Sequence, residues 1–402
     1  MRHLFLLTLG AAVFGCSQAV YSRQSDPVSP APAQAPTSNT SADNNLLGLP
    51  PLPIPLNNPQ TPAKIALGDK LFHDKRFSID GTISCATCHD AGKGFTDNLP
   101  VSAGHHGLTG TRNAPTVINA AFSKSQFWDG REPDLESQSK QPFVNPVEAG
   151  LPNHQPILDI AREDPDYKAA FAEVFKVGGR QLTMDHVAMA IASFERSIVA
   201  GNSAFDRYYF KGDKTALTEQ QQRGFQLFLG QGRCVSCHTI EQDHALFSDS
   251  RFHNIGIGIN AVQQDLPRLT QAFFEAKIRG GDVDKIVLTD KKSSELGRFA
   301  VNDSFNDLGA FKTPTLRNIA LTAPYMHDGS LKTLKEVVIH YNNGGVTPAG
   351  AQVNAFLSGG IRPLNLTDVQ IDELVAFMEA LTSDQYAKTG ATVGVQTGGS
   401  HE

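Results

Sequence analysis

The sequence predicts an all-α protein built from two helical domains, with few or no strands. Helix-start signatures recur along the chain, and the order helix, cysteine pair, long loop, helix occurs twice. No set of segments alternates apolar and polar residues as half-buried strands do. At 402 residues the chain is long enough for two ordinary cores.

The first element reads as an export signal spanning residues 1–19. Arg2 and His3 precede an apolar run from Leu4 to Phe14, too short to span a bilayer. Two cleavage readings stay open. Val13-Phe14-Gly15-Cys16 resembles a lipobox, in which Cys16 would carry a lipid anchor, and Ser17-Gln18-Ala19 would suit ordinary signal peptidase. Either places the mature chain in the periplasm. Residues 20–60 are rich in Pro, Ser, Gln and Asn and read as a linker, extended and polyproline-like near Leu49–Pro55.

Thr61-Pro62 then sets an N-cap with proline at the first helical position. This opens an N-terminal domain over residues 61–215. Thr183 starts a stronger helix, with Val187, Ile191, Phe194 and Ile198 on one face. A C-terminal domain follows over 216–385, where Thr218 with Gln221 and Thr367 with Gln370 have capping-box spacing. Ile371, Leu374, Val375 and Met378 continue the last helix at helical spacing. Residues 242–310, rich in Gly, Asp and Asn, read as a long loop over the second site. Residues 386–402 read as a flexible tail.

A formal net charge of −6 offers no basic stripe for phosphates and argues against a nucleic-acid partner. The cysteines are more informative. Cys85-Ala86-Thr87-Cys88-His89 and Cys234-Val235-Ser236-Cys237-His238 are both C-x-x-C-H. Two thiols at this spacing reach the two vinyl groups of one haem, and the next residue offers imidazole to the iron. An isolated copy would also fit a redox pair or half a zinc site. Two copies, each completed by histidine, use every cysteine after Cys16 and leave none for a disulfide. The expectation is two covalently bound c-type haems, in two cytochrome c-like domains, with His89 and His238 as proximal ligands. The sixth ligand then separates an electron carrier from an enzyme, because Met or His closes the iron and an open position admits peroxide.

The sequence resembles the bacterial di-haem cytochrome c peroxidase family, which includes the MauG branch, from about Ala66 to Leu381. The resemblance is carried by both haem motifs, Arg112-Asn113-Ala114-Pro115-Thr116, Gln126-Phe127-Trp128-Asp129-Gly130-Arg131 and Thr315-Leu316-Arg317-Asn318, which leads into Thr322-Ala323-Pro324-Tyr325-Met326-His327. It implies that the first haem is peroxidatic. His105 then stands where the peroxidases place a displaceable distal histidine, with His106 as the adjacent alternative; the MauG branch lacks this ligand. Gly107 and Gly110 would give that loop freedom to open the site. Glu148 matches the distal acid that moves a proton between the peroxide oxygens, Gln138 its amide partner, and Pro142 helps shape the pocket. Trp128, the single tryptophan, falls between the haems. Asn113, Thr322 and Pro324 match a calcium site between them.

At the second haem the resemblance departs from the peroxidases. They have methionine seventeen residues beyond the proline matching Pro324; here that position is Tyr341, as in the MauG branch. Met326 and His340 remain competing ligands. His327, Asp328 and His73 are expected to bind propionates or cap turns. The implied activity is reduction of hydrogen peroxide to water, with electrons from a small c-type cytochrome or cupredoxin entering through the second haem. A MauG-like oxidase acting on a partner protein and a non-catalytic electron-transfer cytochrome are the alternatives. The family's dimers imply a homodimer.

Overall fold

The computed structural model describes residues 46–347 and 349–387. The export segment with Cys16, the linker up to residue 45 and the tail from residue 388 lie outside the described residues. Apart from one two-residue pair, β1 (Phe252–His253) antiparallel to β2 (Phe311–Lys312), the described regular structure is helical, as the sequence predicts.

The same packing device appears twice. Helix α1 (Pro62–His73) starts at Thr61, whose hydroxyl accepts from the Lys64 amide. It crosses α2 (Met184–Ser197) so closely that a Cβ built on Gly68 would lie 1.9 Å from the Ala190 carbonyl oxygen. Helix α3 (Glu219–Leu229) starts with the Thr218/Gln221 capping box and crosses α4 (Asp368–Glu379), which starts with the Thr367/Gln370 box. Here a Cβ on Gly224 would lie 2.0 Å from the Glu373 carbonyl oxygen. Glycine on one helix brings the backbones together in both places, and the flanking apolar faces bury two cores. The first contains Leu71, Phe72, Phe77, Tyr167, Phe171 and Ile191. The second contains Phe205, Phe225, Phe228, Phe247, Leu374 and Phe377.

A second repeat has a constant offset of 199 residues. Asn119 and Asn318 both take positive φ and open short 3₁₀ turns, Ala120–Phe122 and Ile319–Leu321. Phe127 with Gly130, and Met326 with Gly329, take positive φ again, and the bridges Gln126↔Glu132 and Tyr325↔Leu331 close the two loops. The shared residues include Pro115/Pro314, Thr116/Thr315, Asn119/Asn318, Ala121/Ala320, Asp129/Asp328 and Gly130/Gly329, so the equivalence shows in composition as well as in backbone shape.

Two expectations are corrected or refined. Residues 242–310 are not one loop: they contain helices Leu266–Ile278 and Val283–Thr289 and a third core around Ile259, Leu269, Phe273, Leu296 and Phe299. Leu266, Leu269, Thr270 and Phe273 sit at helical spacing and are buried, a pattern the surrounding Gly and Asp residues obscured. The stretch from Leu46 to Gln60, assigned to the linker by composition, lies against the helical body. Leu47 accepts a backbone bond from Asn202, Gly48 accepts one from Ala245, and Asn58 is fully buried.

Arg317 ties these parts together. Its guanidinium meets Asp206 through two 2.9 Å bonds and also donates to the carbonyls of Ala245 and Gly48, all out of contact with water. A buried cation with all three of its nitrogens engaged is stable in place, whereas removing its carboxylate strands the charge. Asp206→Ala is expected to cost about 3–5 kcal/mol of stability, read as a lowered denaturant midpoint. A change below about 1 kcal/mol, the size typical of exposed ion pairs, would refute the role given to this pair.

Candidate haem and peroxide site

The proximal imidazoles are positioned alike in the two halves. His89 follows a one-turn helix, Cys85–Cys88, and its Nδ1 donates to the Phe95 carbonyl at 3.2 Å. His238 follows the 3₁₀ turn Cys234–Ser236, and its Nδ1 donates to the Phe247 carbonyl at 2.8 Å. A carbonyl only accepts, so in each ring the proton sits on Nδ1 and Nε2 keeps its lone pair. Both acceptor phenylalanines hold positive φ (57° and 51°), which turns their carbonyls inward. Burial lowers the pKa of both rings, keeping them neutral and able to ligate. None of Cys85, Cys88, Cys234 and Cys237 forms a disulfide. Two thiol pairs, each followed by an oriented neutral imidazole, are the donor set a covalently attached haem requires.

Beside the second pair lies a cavity of about 640 Å³ walled by Cys234, Cys237, His238, Tyr341 and Met326. Tyr341 and Met326 are both in the wall. His340 is not a ligand candidate: its Nδ1 lies 2.9 Å from the Thr347 hydroxyl and its Nε2 2.8 Å from the Ile255 carbonyl. Asn113, Thr322 and Pro324 also reach this cavity. A second, smaller cavity brings together Cys88, His89, Gln138, Pro142, Glu148 and Glu195.

Trp128 lines both cavities. Its indole N–H donates to the Asn113 carbonyl at 2.9 Å, and its ring meets His327 edge-on at 6.5 Å. Trp128 and His327 occupy equivalent positions of the 199-residue repeat, so the two copies of that loop touch at the wall shared by the cavities. His327 in turn stacks on Phe311 and pairs with the buried Glu295 at 2.9 Å.

In the smaller cavity Glu148 takes its amide hydrogen bond from Asn145, at 2.7 Å; Gln138 lines the same cavity. Burial pushes the Glu148 carboxyl up to about 7, opposed by the charge of Arg131 and by the Asn145 bond. His105 does not line this cavity. Its Nε2 lies 2.9 Å from the Pro146 carbonyl and its ring lies over Gly150. His106 is exposed beside Asp80. Sequence reasoning missed Asn145, whose only signal is its place three residues before Glu148 in the same turn. It also missed Glu195, a carboxylate hidden on an apolar helix face.

Two helical halves that each present a thiol pair and an oriented imidazole to a cavity define a c-type cytochrome with two haem sites. A family profile describing di-haem cytochrome c peroxidases matches residues 62–215. The cytochrome-c peroxidase IdrP1 of Denitromonas iodatirespirans is 36% identical over 338 residues, covering 83% of this chain and 85% of that protein. The methylamine utilisation protein MauG of Methylorubrum extorquens is 33% identical, covering 84% and 83%. The crystal structure of a MauG-like protein associated with microbial copper homeostasis superposes with a TM-score of 0.67 at 30% identity, covering 86% of this chain and 96% of that one. The chain belongs to the di-haem cytochrome c peroxidase family. Membership makes it an oxidoreductase acting on peroxide and implies two c-type haems.

Glu195 is buried and its carboxyl is pushed up to about 8, chiefly by burial and also by Glu136, against the opposing charge of Arg196. A carboxyl with a folded pKa above its usual 4.5 binds a proton that the unfolded chain has released. Its stabilising contribution is therefore complete below about pH 4.5 and is lost as pH rises towards 8. Glu195→Gln is expected to flatten the fall in stability between pH 5 and pH 8, measured by denaturant midpoints at both. An unchanged slope would show that the group does not stay protonated.

Proposed function

We propose that this protein reduces hydrogen peroxide to water at the first haem site, using two electrons supplied through the second by a small c-type cytochrome or cupredoxin. The observation that carries the reading is Glu148: a buried carboxyl, held by Asn145, in the cavity that contains Cys88 and His89. The haem, when bound, supplies the redox chemistry of O–O cleavage. The side chains manage protons and position. With its pKa near 7, the Glu148 carboxylate accepts the proton of one peroxide oxygen and returns it to the other, so that water leaves rather than hydroxide. Two further protons from solvent complete two waters per peroxide. Gln138 orients the bound oxidant from the same wall. Trp128, fixed through its indole N–H and shared by both cavities, shortens the path for electrons between the sites.

The same reading places calcium at Asn113, Thr322 and Pro324, a hard cation among oxygen ligands. It assigns His105 as the displaceable distal residue, turned off the cavity onto Pro146 in this conformation. It also locates the protein in the periplasm, as a homodimer, with a lipid anchor at Cys16. A MauG-like oxidation of a partner protein is the second reading. It is favoured by Tyr341 in the wall of the second cavity, because a phenolate ligand stabilises oxidised iron.

Glu148→Gln is expected to lower peroxide turnover about 10²- to 10⁴-fold with haem content unchanged. Wild-type turnover is expected to rise with pH through about 7 as the carboxyl ionises; turnover equal in the two proteins would refute the proton-transfer role. Tyr341→Met separates the two readings. Peroxidase activity with a reduced cytochrome persists if electrons are simply relayed. If the substitution abolishes oxidation of a partner protein yet leaves peroxide consumption intact, the MauG-like reading is the correct one.

A further inference from the structure

We infer that Asp80, His105 and His106 form a binding site for a borderline divalent cation such as Zn²⁺, outside both haem cavities. A carboxylate oxygen of Asp80 and one ring nitrogen from each histidine lie within 4.8 Å of one another. The decisive group is His105. Its Nε2 is committed to the Pro146 carbonyl, and a carbonyl only accepts, so the proton is on Nε2 and Nδ1 carries a lone pair. That Nδ1 is buried and has no hydrogen-bond partner among the described residues, while the residue itself is 9% exposed. A buried acceptor left unsatisfied is costly, and a cation bound there removes the cost.

The surroundings are arranged as a supporting shell. Asp80 Oδ1 accepts from the Thr82 hydroxyl and amide at 2.7 and 3.0 Å, and Oδ2 accepts from the His106 amide at 2.9 Å. Asp80 is thus fixed facing the histidines, with His106 Nδ1 3.4 Å from Oδ2. Gly150 lets the His105 ring lie against the backbone, since a Cβ there would stand 2.3 Å from Nε2. His106 holds a positive φ of 52°, which turns its ring back towards Asp80. Two imidazoles and one carboxylate suit zinc and its neighbours, with water free to complete a tetrahedron on the exposed side of His106.

The bound cation fastens residues 104–108 to the turn that follows Ser78. Gly104 lines the smaller cavity, so the cation also fixes that wall and keeps the His105 ring away from it. The site takes up the residue that the proposed function names as displaceable, in its displaced position; because binding is measured without peroxide, the two readings fail separately. Haem-loaded protein titrated with Zn²⁺ against a chromophoric chelator, then desalted and analysed for zinc and iron together, is expected to retain a single zinc per chain. Asp80→Asn and His106→Gln are each expected to weaken retention by about tenfold or more with iron content unchanged. His73→Gln, which removes an exposed histidine elsewhere, leaves it intact. Failure of the wild type to retain zinc, or equal retention by the wild type and both site variants, would overturn the inference.

Discussion

Both redox sites depend on one small constraint, the hydrogen bond from the Nδ1 of a proximal histidine to a backbone carbonyl. At His89 the carbonyl belongs to Phe95, and at His238 to Phe247. Each phenylalanine is held in a left-handed conformation that a bulky residue adopts only when its surroundings enforce it. Phe247 is enforced by the second core, where it packs against Phe205 and Phe228. The aromatic core therefore does more than bury area: it aims a carbonyl, which selects a tautomer, which leaves the correct nitrogen free.

From that starting point the two halves diverge. The loops related by 199 residues end in Trp128 and His327, equivalent positions occupied by different chemistry and in contact with each other. Trp128 gives an indole shared by the two cavities, and His327 is locked between Phe311 and Glu295. The smaller cavity has acquired carboxyls raised by burial at Glu148 and Glu195, whereas the larger has a phenol and a thioether in its wall. One half sets buried carboxyls beside its imidazole, and the other a phenol and a thioether.

Much of this was legible in the sequence, for physical reasons specific to each element. Capping residues act over three or four positions, so Thr61, Thr183, Thr218 and Thr367 announced their helices. The C-x-x-C-H spacing is fixed by the haem edge, so it survives without context. The helices within 242–310 were obscured because their apolar residues are diluted by Gly, Asp and Lys, and only burial separates them from a loop. Asn145 was illegible because a side-chain amide declares itself only once a turn brings it to a carboxylate. The orientation of His105 was illegible too, since a ring can face either side of its loop. The 199-residue repeat escaped because its identical residues are scattered among dissimilar ones, and the matching signs of φ align them.

The two glycines at the helix crossings carry a consequence for how such a protein can change. At Gly68 and Gly224 even a methyl group would wedge apart the helix pair behind a haem motif. Drift there is closed off, and a mutational library aimed at new oxidative chemistry should hold both positions constant. The cavity walls, where Gln138, Tyr341 and Met326 stand, can then be varied without loosening the frame.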